Sequence, residues 1–257
     1  MAGLGLHLGK QTGLGFFRRQ AGDLGKTLEK LSTVLPSGEN YEWLGEIAEF
    51  KRQIPRPKPY APYTVLHTLS ELTKGEANIV TDVGQNQMWT AQYYDFERPR
   101  SLITSGGLGA MGFGMGAAIG AALGKPERKT VLITGDGGFH MSLSELATLS
   151  RYNIPVVVIV MNNGVLGMVR QWQTLFYNRH YSATTLARRT DFVKLAEAFG
   201  AEGCRAQTPA EFEAALRRAF LCDGPYLIDC RIDQDEFVLP MLPPGGAVED
   251  MIVELED

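Results

Sequence analysis

Two apolar runs, Thr130 to Thr134 and Pro155 to Met161, each end in small polar residues. The first is followed by Gly135-Asp136-Gly137-Gly138, the second by Asn162-Asn163-Gly164. Between them, Met141 to Asn153 is predicted as a helix, with Ser142 and Glu145 spaced as a capping box. Strand, helix, strand is a βαβ unit, and its crossover makes the two strands parallel. If the strands are neighbours, about 5 Å apart, Asp136 and Asn163 emerge side by side at their carboxyl ends. Open α/β sheets bind ligands at that edge. A carboxylate and an amide oxygen set among glycines suit a hard divalent cation that also holds phosphate oxygens. The pair predicts a metal–diphosphate site.

Further strands and helices alternate along the chain. Tyr63 to Leu72 is predicted as a helix and Ala77 to Thr81 as a short buried strand ending in Asp82-Val83-Gly84-Gln85. Asp191 to Phe199 is predicted as a helix with Thr190 as cap and Gly200 as stop. Pro209 to Phe220 follows the same logic, with Thr208 as cap and Glu211 completing the box. Tyr226 to Cys230 is another buried strand. The alternation predicts an α/β fold, a doubly wound, mostly parallel sheet with helices on both faces. Ahead of it, Asp23 to Leu35 forms an amphipathic helix with Leu24, Leu28, Leu31 and Leu35 on one face, and residues 1–20 show no periodicity. Ile54-Pro55-Arg56-Pro57-Lys58-Pro59 is an extended linker. The main domain is therefore placed at 60–232, and the proline-bearing, acidic stretch 233–257 is a tail or an active-site cover.

Several function classes are disfavoured. A net charge of −4 gives no electrostatic reason for nucleic acid or an anionic membrane as partner. Cys204, Cys222 and Cys230 have no metal-ligand spacing and are expected as ordinary thiols of a reducing compartment, the cytoplasm. The amino terminus lacks a basic leader with a long apolar run, which argues against a signal peptide. Ser101 to Gly124 carries no charge and spaces Gly112, Gly116, Gly120 and Gly124 four apart. Only the part from Met111 is helix-like, shorter than the roughly 20 residues of a membrane span; a buried helix pressed against its neighbours is expected instead. Gly107-Leu108-Gly109-Ala110-Met111-Gly112 fits the dinucleotide template, with Asp136 as the following acidic residue. Against a dehydrogenase, His7, His67, His140 and His180 are scattered and suggest no acid–base site.

GDG followed one βαβ unit later by NN resembles the diphosphate-binding signature of thiamine-diphosphate enzymes. Thr81-Asp82-Val83-Gly84-Gln85-Asn86-Gln87-Met88-Trp89, SGGLGAMGFG from Ser105, GMVRQWQ from Gly167 and VLPMLPPGGA from Val238 all look like the large, catalytic subunit of acetolactate synthase. The likeness covers roughly residues 60–257 and the Asp23 to Leu35 helix. It implies that Asp136, Asn163 and the backbone carbonyl of Val165 bind Mg²⁺. Val83, Gly84, Gln85 and Asn86 would line the diphosphate end of thiamine diphosphate, together with Gly135, Gly137, Gly138 and Met168. Met111 would prop the cofactor in its bent form, Gly109 would offer its carbonyl to the 4′-amino group, and Trp172 would shape the pocket for the second 2-oxoacid. The implied reaction decarboxylates pyruvate and joins the product to a second pyruvate or to 2-oxobutyrate.

Two departures from the family stand out. Asn86 replaces the usual His, keeping a hydrogen-bond donor toward the diphosphate but no charge. The glutamate that activates the cofactor lies, in the family, in an amino-terminal domain supplied by the partner subunit, and an FAD-binding domain lies between. This chain contains neither in full, so residues 1–59 are taken as a remnant of the preceding domain plus linker. Three readings stay open: the carboxyl-terminal part of acetolactate synthase, derived from a longer parent or working with a separately supplied half or a homo-oligomeric partner, with a regulatory small subunit possible; another thiamine-diphosphate 2-oxoacid enzyme or a nucleotide-binding oxidoreductase; and a non-catalytic, truncated fragment that keeps the fold as a binding or interaction module.

Overall fold

The computed structural model describes residues 23–34, 41–53, 59–186 and 190–254. Residues 1–20, Leu35 and most of the proline-rich linker therefore lie outside the described residues. Two units result, Met1–Pro55 and Arg56–Asp257. The first contains α1 (Leu24–Val34) and α2 (Tyr41–Gln53). Asp23 caps α1, its carboxylate accepting from the Lys26 N–H at 3.0 Å, and Leu24, Leu28 and Leu31 are exposed.

In the second unit the elements run α3 (Pro62–Thr73), β1 (Asn78–Thr81), α4 (Gln85–Tyr93), β2 (Leu102–Ile103), α5 (Phe113–Gly124), β3 (Thr130–Gly135) and α6 (Asp136–Ser142). They continue with α7 (Leu146–Arg151), β4 (Val156–Asn162), α8 (Gly167–Phe176), α9 (Phe192–Ala198), β5 (Glu202–Ala206), α10 (Pro209–Leu221) and β6 (Tyr226–Arg231). The strands form one parallel sheet in the order β2-β1-β3-β4-β6-β5. From β1 the chain crosses outward to β2, and from β3 it crosses the other way to β4. The crevice at the carboxyl ends of β1 and β3 is thus the switch point at which such sheets bind ligands. β3 and β4 are neighbours with Gly135 opposite Met161, so Asp136 and Asn163 leave the sheet together, as expected.

Both faces of the sheet are covered, as the near-continuous apolar runs predict. Ile79, Val131, Ile133, Val157, Ile159 and Ile228 pack beneath α3, α4 and α10, through Leu66, Leu69, Trp89, Phe212 and Leu216. The alternate residues Val80, Leu132, Val156, Val158, Val160 and Leu227 pack against α5, α6, α7 and α9, through Met115, Phe139, Leu146, Leu149 and Phe192. The doubly wound α/β fold follows from this alternation.

Three local expectations are corrected. The single helix over Met141 to Asn153 is replaced by α6, a 3₁₀ turn over Leu143–Glu145, and α7. Helix α6 begins at Asp136, directly off β3, so Ser142 falls at its end, and Ser142 Oγ is buried without a hydrogen-bond partner among the described residues. Glu145 accepts instead from the Thr148 hydroxyl at 2.9 Å. Second, the cap of α9 is Asp191, whose Oδ1 accepts from Val193 N and Lys194 N at 3.1 and 3.3 Å. Thr190 lies 3.1 Å from His140 Nε2, while His140 Nδ1 lies 2.7 Å from the Asp136 carbonyl. A carbonyl only accepts, so Nδ1 donates, and in the neutral ring Nε2 takes the Thr190 proton. Third, Gly116, Gly120 and Gly124 are not pressed against neighbours: they lie on the exposed side of α5, which buries Gly114, Met115, Ala118 and Ala122. Thr208 does cap α10, accepting from Glu211 N at 3.2 Å, while the Glu211 carboxylate accepts from Gln207 N at 2.8 Å.

The first residue after β1 organises the switch point. Asp82 is 1% exposed, and its carboxylate accepts from the N–H groups of Val83 at 2.8 Å, Gly112 at 3.0 Å and Gly114 at 2.9 Å. It caps α5 from a distant strand, using charge-assisted hydrogen bonds to donors that the helix itself cannot satisfy.

Three substitutions test these caps by urea unfolding. Asp191→Ala is expected to cost roughly 1 kcal/mol and Thr190→Ala clearly less; equal losses would return the cap to Thr190. Asp82→Ala strands buried donors at the start of α5 and is expected to cost about 3 kcal/mol.

Candidate functional site

A cleft at the carboxyl edge is lined by Val83, Gly84, Gln85, Asn86, Met111, Gly135, Asp136, Gly137, Gly138, Asn163, Val165 and Met168. These are the residues expected at the site, apart from Gly109 and Trp172. Trp89, Met161, Leu166, Gly167 and Val169 complete it and were not expected there. Helices α4, α6 and α8 all begin at this cleft, at Gln85, Asp136 and Gly167. Helix amino termini carry partial positive charge and outward N–H groups, so their convergence favours an anion.

Asp136 is 5% exposed, and its Oδ2 accepts from Gly164 N at 3.1 Å while Oδ1 accepts from Gly137 N at 3.0 Å. Asn163 Oδ1 accepts from Val165 N at 3.2 Å, and its Nδ2 donates to Gln85 Oε1 at 3.3 Å. Val165 is held by an antiparallel bridge to Thr185. The cleft thus gathers a carboxylate, an amide oxygen and a nearby backbone carbonyl, and no thiol or imidazole lines it among the described residues. Hard oxygen donors beside helix amino termini fit Mg²⁺ and a diphosphate. The two asparagines of the pair differ in role: Asn162 Nδ2 donates to Asp229 Oδ1 at 2.7 Å, away from the cleft. Asp229, buried, also receives Arg205 at 2.9 Å and Arg231 at 3.2 Å, and this pairing holds the Arg205 guanidinium above its ordinary range.

Asn86 lines the cleft but does not offer it a donor. Both amide hydrogens go to backbone carbonyls, of Asp82 at 3.1 Å and Ile133 at 3.0 Å, leaving Oδ1 toward Gly84 and Gly135. Gly109 lies on the exposed loop before α5 with φ +62°, a conformation that favours glycine, and a Cβ there would be 3.8 Å from Val83. The Met111 methyl reaches to within 3.6 Å of where a Gly137 Cβ would stand. Trp172 sits outside the cleft, in an adjoining hollow of about 700 Å³ that it lines with Phe176, Tyr177 and His180. Met168 and Val169 border both spaces, and the Trp172 ring meets Phe176 edge-on at 5.3 Å. The dinucleotide reading fails on topology, since β1 separates the strand before the glycine run, β2, from β3, which Asp136 follows.

The cysteines are free thiols, as expected, and burial pushes Cys222 and Cys230 above the ordinary thiol range. No helix among the described residues is long and apolar enough to cross a membrane.

Residues 82–230 match the family described as thiamine pyrophosphate enzyme, C-terminal TPP binding domain. The chain is 41% identical over 237 residues to the acetolactate synthase isozyme 1 large subunit of Escherichia coli, covering 90% of this chain and 42% of the relative. It is 48% identical over 179 residues to a probable acetolactate synthase large subunit of Methanococcus aeolicus, covering 70% of this chain and 30% of that one. Against the chloroplastic acetolactate synthase 2 of Zea mays it is 42% identical over 240 residues, covering 89% and 38%. The chain therefore spans less than half the length of these relatives. Its matched segment runs from the carboxylate that caps α5 to the strand beside β4, and on that ground the chain belongs to the thiamine pyrophosphate enzymes, carrying their C-terminal TPP-binding domain.

Proposed function

We propose that this chain binds thiamine diphosphate with Mg²⁺ and supplies the cofactor-binding part of an acetolactate synthase, in the branched-chain amino-acid pathway. The observation that carries the reading is the convergence of Asp136, Asn163 and the Val165 backbone with three helix amino termini in one cleft. Asp136, Asn163 and the Val165 carbonyl hold the cation. Gly84, Gln85, Gly137 and Gly138 surround the diphosphate with backbone groups. Asn86 braces Asp82 and β3 from behind, with no direct bond to the phosphates. Met111 supports the bend of the cofactor, Gly109 accepts from its amino group, and Met168 separates the cleft from the Trp172 hollow, where the second 2-oxoacid is held. Bound thiamine diphosphate supplies the electron sink for decarboxylating a 2-oxoacid such as pyruvate. The residues around it orient the substrates, pyruvate or 2-oxobutyrate as acceptor, and exclude water.

The described site holds no carboxylate assigned to the aminopyrimidine, and in this reading that glutamate comes from a complementing amino-terminal half, which also brings FAD. A reducing compartment such as the cytoplasm suits the free thiols. The exposed apolar residues near the cleft mouth, Leu108 at 98% exposure with Phe113 and Met141, are the surface by which the chain joins its partner or a second copy.

Calorimetry on the purified chain is expected to show saturable thiamine-diphosphate binding that requires Mg²⁺, and Asp136→Ala is expected to weaken it at least about 100-fold. Binding that survives chelation or Asp136→Ala overturns the site. The chain alone is expected to make no acetolactate; robust turnover without a second component overturns the complementing half.

A further inference from the structure

Gln85 and Gln171 form a buried polar chain beside the cleft. Gln171, on α8, is 0% exposed and meets the backbone of Val238 twice: Val238 N donates to its Oε1 at 2.8 Å, and its Nε2 donates to the Val238 carbonyl at 2.9 Å. A backbone N–H only donates and a carbonyl only accepts, so these two bonds set which end of the Gln171 amide points where. Its other N–H faces Met241 Sδ at 3.3 Å. Gln171 Oε1 then needs a second donor, which is Gln85 Nε2 at 2.9 Å; the remaining Gln85 N–H goes to the Glu236 carbonyl at 2.9 Å. Gln85, 4% exposed, is left with Oε1 toward Asn163, which must present Nδ2. A Cβ on Gly167 would overlap Gln85 Oε1 and lie 2.8 Å from Asn163 Nδ2, so glycine keeps the last step direct.

We propose that the segment around Val238, acting through Gln171 and Gln85, holds the Nδ2 end of the Asn163 amide away from the bound cation, reinforcing the Val165 N–H that donates to its Oδ1 at 3.2 Å. The proposal rests on the metal reading above. The Asn163 amide can turn over at little steric cost, and only its oxygen is a ligand for a hard cation. Each bond in the chain removes one wrong orientation. The backbone groups of Val238 and the Glu236 carbonyl supply the fixed references, since a backbone donor and acceptor cannot exchange. Gln171 is therefore a positioning residue: it touches neither cation nor cofactor, and it links residues 236–241 to metal affinity.

The test uses the full chain labelled with ¹⁵N, the side-chain amide of Asn163 being identified by its loss in Asn163→Asp. In the native chain its protons are expected to exchange slowly with solvent. Gln171→Met, close to isosteric, is expected to remove that protection while the backbone spectrum stays folded. If Gln171→Met does not fold, Gln171→Glu, which keeps the acceptor for Val238 N and Gln85, is expected to retain the protection of the Asn163 amide, and loss of that protection overturns the proposal. Mg²⁺ affinity, titrated with thiamine diphosphate present, is expected to fall about tenfold in Gln171→Met, the loss usual for a residue that orients a ligand. In an Asn163→Asp background, where both oxygens are ligands, Gln171→Met is expected to cause no loss. An unchanged Asn163 amide signal in Gln171→Met, or equal affinity losses in both backgrounds, overturns the proposal. Failure of the metal reading looks different: Asp136→Ala would leave Mg²⁺ binding unchanged while the amide signal of Asn163 still responded to Gln171→Met.

Discussion

The carboxylate of Asp82 stands where the chain leaves β1 and where the winding of the sheet reverses. It accepts from Val83, Gly112 and Gly114 while almost wholly buried, so it ties the end of a central strand to the start of α5. A buried carboxylate is costly unless its lone pairs are filled, and the unsatisfied N–H groups of a helix amino terminus fill them with the right sign of charge. The consequence reaches the cleft. Met111 and Gly109 belong to the loop that ends at Gly112, and Asp82 holds that end. On its other side Asp82 lies so close to Gly138 that a side chain there would collide with its oxygens, which brings the first turn of α6 down beside Asp136. One acidic side chain thus places the start of α5, which carries the Met111 loop, and the first turn of α6, one of the three helix starts that face the cleft.

Those parts of the site that depend on strand ends were legible in the sequence. β3 and β4 are apolar runs with sharp polar ends, and a short crossover leaves few ways to pair them other than side by side. Asp136 and Asn163 follow from that alone. The expectation about Ser142 failed because a capping box is a local pattern, whereas α6 starts where Asp136 leaves the sheet and runs through the position where the cap was sought. Thr190 and Asp191 are both capable caps one residue apart, and the choice was made by His140, which engages the Thr190 hydroxyl. Asn86 was read as a donor to phosphate, but Nδ2 is claimed by two carbonyls from different elements, a demand visible only once β1, β3 and α4 are in place. The strand β5 was missed because it is a half-exposed edge strand, with no continuous apolar run to mark it.

The adjacent asparagines show what tertiary context adds to a motif. Asn162 ends β4 pointing to β6, where Asp229 takes its Nδ2 and two arginines share that carboxylate; it joins strands. Asn163, one residue on, points to the opposite side, beside Asp136. A carboxylate at that position would bind a divalent cation more strongly by charge, but would leave less of the cation's field for diphosphate oxygens. An amide is the weaker and more selective partner, and it introduces an ambiguity a carboxylate does not have, because only one of its two ends is a ligand. The Val165 N–H engages the oxygen end, and the buried amides of Gln85 and Gln171 engage the other by referring it to the backbone of Glu236 and Val238. Residues 236–241, whatever else they cover, are in this sense part of the orientation of a side chain that they reach through Gln171 and Gln85.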